Sequence, residues 1–224
     1  MAKENINPKG ADLDASLEQT FVEKNLKKLA LAAACVLGLV VCVILVNWYM
    51  GQRNEKAAQA LFPCEQYFQA GNYEKALNGD GAQCEGFLAI ADQYSCTKSA
   101  NLAKLYAGVS YAQLGKHQEA KEQLEDFSTK DDQMISPAAL GALGNTYIQL
   151  GDNEKGAETL VKAAKKADNN VLSPLFLVQA AEVYESLGQT DKALGLYEQV
   201  KANYRASLQG SEIDKYIERA KGSK

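Results

Sequence analysis

The sequence is short of the residues on which most catalytic sites are built. It has one histidine, His117, and one tryptophan, Trp48, among 224 residues. A single imidazole supports neither a histidine-rich metal site nor paired acid–base work. The five cysteines include no C-x-x-C pair, which removes the zinc-ribbon and dithiol redox patterns. There is no P-loop, no dinucleotide fingerprint following a strand, no G-x-S-x-G and no H-E-x-x-H. Four prolines exclude a collagenous chain. Positive charge is also scarce: 24 Lys and Arg face 28 Asp and Glu, giving −4. That balance excludes an electrostatic nucleic-acid binder. The expectation is a protein with no metal, no cofactor and no enzymatic activity.

What is present is unevenly distributed. Leu29 to Val46 is an uninterrupted apolar run of 18 residues. As a helix it is about 27 Å long, close to the thickness of a bilayer core. Asn47, Trp48 and Tyr49 follow, and the two aromatic rings favour the membrane interface. The run is too long, and its 28-residue leader too long, for a cleaved signal peptide. Residues 29–49 therefore read as a signal-anchor helix. Lys24, Lys27 and Lys28 precede it, and Arg53 and Lys56 follow it. The bias of three to two places the N-terminus in the cytoplasm and exports the rest. Ala30, Ala34, Gly38 and Cys42 form a ladder of small residues that suits a transmembrane partner. Residues 1–28 read as a cytoplasmic tail, disordered to about residue 15. Ser16 and Gln19 have capping-box spacing for a short amphipathic helix over residues 16–28.

The remaining chain repeats. Gly108-x-x-Tyr111-x-x-Leu114-Gly115 recurs as Gly144-x-x-Tyr147-x-x-Leu150-Gly151 and as Ala181-x-x-Tyr184-x-x-Leu187-Gly188. The glycines are 36 and 37 residues apart. An earlier unit reads Cys64-x-x-Tyr67-x-x-Ala70-Gly71. Each unit predicts a helix hairpin, with a small residue at the crossing and a glycine that ends the first helix in the left-handed region. Ala76, Ala120 and Ala193 supply the matching small surface on the second helix, and Gly156 stands in that slot in the third hairpin. Ser136-Pro137 and Ser173-Pro174 read as N-caps followed by proline. An insertion at about residues 78–86 enlarges the first unit and precedes a helix from Phe87. Ser211 is expected to open a closing helix over residues 211–221. Cys84 and Cys96 bracket the helix after the insertion; a disulfide or free buried thiols, the latter preferred, stay open for them.

These residues resemble the tetratricopeptide repeat family. The resemblance implies an all-α chain: one transmembrane helix, an α-solenoid of about four hairpins over residues 50–210, and a capping helix. It also implies a groove lined by the first helix of each hairpin. The positions counted there are Glu65, Phe68, Gln69, Val109, Ala112, Gln113, Asn145, Ile148, Gln149, Glu182 and Glu185. Their mixed character suits a protein or peptide partner and lacks the cations that hold a carboxylate tail. The whole arrangement resembles bacterial single-span proteins of the inner membrane with a periplasmic repeat domain that accompany the Sec translocon. That likeness implies a chaperone-like accessory that contacts client polypeptides. The alternative is a scaffold subunit of an envelope machine in cell division, outer-membrane assembly or secretion.

Overall fold

A computed structural model describes the backbone of residues 9–222 and side chains from Asn25 onward. Every regular element among these residues is a helix. The first, α1, runs unbroken over Lys9–Gln69. The chain divides into two compact units, residues 1–52 and 53–224.

In the first unit α1 carries the apolar run. Side chains from Leu26 to Tyr49 are exposed, including Leu31, Val36, Leu39 and Ile44. A helix that is apolar all round needs a surrounding that is not water. By length and composition α1 is able to cross a membrane. The expected tail is different in part. The helix already covers residues 9–28, so Ser16 lies inside it rather than at its cap. The tail residues 1–8 lie outside the described residues.

In the second unit the remainder of α1 pairs with α2 (Tyr73–Asn78). The insertion then leads to α3 (Phe87–Gln93). Three hairpins follow: α4 (Lys98–Gln113) with α5 (His117–Glu125), α6 (Ile135–Gln149) with α7 (Asn153–Ala167), and α8 (Leu172–Ser186) with α9 (Thr190–Asn203). α10 (Leu208–Gly222) closes the stack.

The hairpin turns are one device used four times. Gly71, Gly115, Gly151 and Gly188 all have φ between 71° and 84°. The next residue's N–H returns to the tyrosine carbonyl five positions back: Asn72 to Tyr67, Lys116 to Tyr111, Asp152 to Tyr147, Gln189 to Tyr184, at 2.8–2.9 Å. This is the Schellman closure, which satisfies a carbonyl that the helix end would orphan. The small residues then let the two helices meet. A methyl added at Gly108 would lie 2.5 Å from Leu124 Cγ, and one at Gly144 would lie 2.9 Å from Leu160 Cγ. Leu160, Tyr197 and Val200 are fully buried, and each such side chain stabilises the stack by about 1.5–3 kcal/mol.

Two capping expectations need correction. α6 and α8 start one residue before the Ser-Pro pairs, and their first N–H groups go elsewhere. Asp132 Oδ1 accepts from Met134, Ile135 and Ser136, and Asn169 Oδ1 accepts from Val171 and Leu172. The serines serve a different purpose. Their hydroxyls accept the N–H of Lys130 and of Asn169, at 2.7 and 3.1 Å, and so tie down the preceding loops. The closing helix begins at Leu208, ahead of Ser211, and its cap is Ser207, whose Oγ accepts the Gly210 N–H at 2.9 Å.

Candidate functional site

The expected groove residues separate into three groups. At the first hairpin, Phe68 belongs to an aromatic cluster with Tyr73, Phe87 and Tyr106, with ring centroids 5.1–6.2 Å apart. Glu65 is hydrogen-bonded to the Tyr106 phenol, which burial, together with this carboxylate, raises above its ordinary pKa. Gln69 is exposed at the end of α1.

In the middle of the stack the expected residues converge. Val109, Ala112 and Gln113 of α4 and Asn145 and Gln149 of α6 line one cavity of about 280 Å³. His117, Ala142 and Thr146 complete it. Three amide side chains face an otherwise small apolar wall, with no carboxylate or ammonium among the lining residues. Primary amides both donate and accept, which suits the alternating N–H and C=O of an extended backbone. His117 Nδ1 is buried there without a hydrogen-bond partner in the structure. Ile148 stands apart from this wall. It packs inside its own hairpin, where a methyl at Gly156 would lie 2.5 Å from its Cγ1.

At the C-terminal end the groove is occupied by the protein itself. Glu185 accepts from Tyr197 Oη at 2.6 Å and from Arg219 of α10 at 2.5 Å. Burial raises the Glu185 carboxyl, but the Arg219 and Tyr197 hydrogen bonds outweigh it and leave the carboxyl below its usual value. Glu182, on the same helix, is exposed. The two carboxylates counted in the groove are therefore split between water and an ion pair.

Cysteine chemistry also differs from expectation. Cys84 is bonded to Cys64, across a sequence separation of 20 and with the Cα atoms 4.9 Å apart, while Cys96 is free and exposed. Cys64 fills the small-residue slot of the first hairpin, where the later ones carry glycine or alanine. The insertion folds back to reach it because Asp80 gathers the loop. Its Oδ1 accepts the N–H groups of Ala82, Gln83 and Cys84, each at 2.9 Å, and Tyr67 Oη donates to Oδ2 at 3.0 Å. The backbone hydrogen bonds from Ala82 and Cys84 lead in holding the Asp80 carboxyl down at about 2.

The ladder Ala30, Ala34, Gly38 and Cys42 is exposed on α1, and a methyl at Gly38 would meet nothing within 4 Å. Among the residues from Asn25 onward, no group of three or more His, Cys, Asp or Glu is placed to hold a metal.

Residues 102–132, 137–169 and 176–207 match the tetratricopeptide repeat family. A solved structure of nearly identical TPR-like repeats from Podospora anserina, named for kinesin light chain, superposes with a TM-score of 0.59. It is 17% identical and covers 76% of this chain and 87% of its own, a likeness of fold. No curated protein sequence matches the chain. Repeats of this family generally serve as protein–protein interaction modules. The matched segments coincide with the three hairpins α4–α9, and the chain is a tetratricopeptide repeat protein.

Proposed function

We propose that this is a single-span protein of the bacterial inner membrane whose exported repeats hold polypeptide segments, as a non-enzymatic, chaperone-like accessory beside the Sec translocon. The observation that carries the binding role is the uncharged, amide-lined cavity between α4 and α6. It offers backbone hydrogen bonding with no charge to select one sequence, as a factor handling many clients requires. The exported side is supported by the Cys64–Cys84 disulfide, because such bonds persist in oxidising compartments. The lysines before the span point the same way. Lipid contact falls to residues 29–49, with the small-residue ladder as the face for a transmembrane partner.

The test is a photo-crosslinker placed at Gln113 or Gln149 in the full chain in its native membrane. A spread of secretory polypeptides in the adducts is expected. One stoichiometric adduct would replace the client-holding role with that of a fixed scaffold. No adduct from either position would remove the cavity from the binding role.

A further inference from the structure

We infer that the edge of the repeat stack formed by the starts of α4, α6, α8 and α10 docks on the lipid surface. These helix starts lie side by side. The Ser99 N–H donates to Asn54 Oδ1 at 2.9 Å, which joins the start of α4 to residue 54 of α1. The Asn169 side-chain amide donates to the Gln133 carbonyl at 2.9 Å, which joins the start of α8 to that of α6.

Along this edge a large apolar side chain recurs in the open every 37 residues. Met134 is 57% exposed, Val171 67% and Leu208 81%. Ile135, at 48%, adds to the row. The same register holds a polar residue at no cost to packing, so three consecutive apolar choices mark a surface that meets something apolar. Between the starts of α4 and α6 a cavity of about 290 Å³ opens, lined by Leu102, Phe127 and Ile135 together with Lys98, Lys130 and Asp132, whose carboxylate is taken up by the first N–H groups of α6. An apolar floor with ammonium groups beside it matches acyl chains under anionic headgroups.

The occupant follows from chain connectivity. The inference rests on the reading of residues 29–49 as a membrane span. Asn54, which belongs to this edge, follows the interfacial Tyr49 by five residues. That length of chain reaches at most about 18 Å. Asn54 is thus tethered close to the headgroup layer, and lipid is the occupant assigned to the apolar row of the same edge. The opposite edge carries the glycine turns, and its exposed leucines Leu150 and Leu187 lie a helix length away, about 22 Å.

The test uses the full chain in vesicles of phosphatidylethanolamine and phosphatidylglycerol with brominated acyl chains, which quench tryptophan at close range. Wild type reports on the span through Trp48. In a Trp48→Phe background, single probes are placed by Val171→Trp, Leu208→Trp, Leu150→Trp or Leu187→Trp. All four sites are at least 38% exposed, so the helices tolerate the ring, and circular dichroism checks this. Quenching at 171 and 208 is expected to exceed that at 150 and 187 by about threefold or more, as insertion by about 5–10 Å requires. Quenching at 171 and 208 no greater than at 150 and 187, with Trp48 quenched, overturns the docking edge alone. An unquenched Trp48 overturns the membrane anchor and this inference together.

Discussion

The third hairpin has glycine on both sides of its crossing, Gly144 and Gly156, where the second and fourth have Gly108 with Ala120 and Ala181 with Ala193. Restoring alanine by Gly156→Ala tests whether the glycine is structural. In an exposed helix interior Gly→Ala stabilises by about 1 kcal/mol through backbone entropy. Position 156 is not exposed. The new methyl carbon would stand 2.5 Å from Ile148 Cγ1 and 2.8 Å from the Gly144 carbonyl oxygen. The isoleucine could turn aside, but the carbonyl is backbone and moves only if α6 and α7 separate. Overpacking of this kind costs about 1–3 kcal/mol. Set against the entropic gain, the net expectation is a loss of up to about 2 kcal/mol, or a melting temperature lower by up to about 6 °C. Gly195→Ala is the control: Gly195 lies exposed in the middle of α9 with nothing within 4 Å of its added methyl. There the same change is expected to raise the melting temperature by about 2–3 °C. Thermal melts at 222 nm give the totals. Hydrogen exchange across α6 and α7 locates the change, since repeat arrays need not unfold as one unit. A Gly156→Ala protein stabilised as much as the Gly195→Ala control would refute the close-approach reasoning.

Three further outcomes follow from the cysteines and from α10. Denatured without reductant, the chain is expected to expose three thiols to maleimide, Cys35, Cys42 and Cys96, and five after reduction. Cys64→Ala is expected to destabilise the first hairpin by about 3 kcal/mol, the loop-closure entropy of a 20-residue bridge; five thiols without reductant would contradict the pairing. The Glu185 carboxyl is held below its unfolded value, so its ion pair adds stability that is full above about pH 4.3 and fades as pH falls through the lower folded value. Arg219→Gln removes the charged partner and leaves the burial, so the variant is expected to be less stable than wild type at pH 7, with the difference narrowing as the carboxyl is protonated at lower pH. A difference in melting temperature that stays constant from pH 7 to 3 would dismiss that pairing.

The fold was legible because its determinants are local. Tyr147, Leu150 and Gly151 encode a helix end by themselves, and repetition at 36 and 37 residues made the signal unmistakable. The caps were misread because two kinds of residue recur at the same period. Ser136 and Ser173 sit before prolines and draw attention, whereas Asp132 and Asn169, also 37 apart, accept the helix N–H groups. The disulfide was not legible because it depends on where a loop goes. Cys84 and Cys96 are near in sequence, but Asp80 turns the insertion back toward Cys64. Position counting found Val109, Gln113, Asn145 and Gln149 around one cavity. It placed Phe68 and Glu185 in the same groove without seeing their tertiary partners, Tyr106 and Arg219, which lie 38 and 34 residues away.

The closing helix gives the groove a ruler. Arg219 clamps Glu185 at one end, and the ring cluster around Phe68 walls the other. Neighbouring helices pack about 10 Å apart, so the open floor from α4 to α8 spans about 20 Å. At about 3.3 Å per residue, an extended chain lying across it covers about six residues.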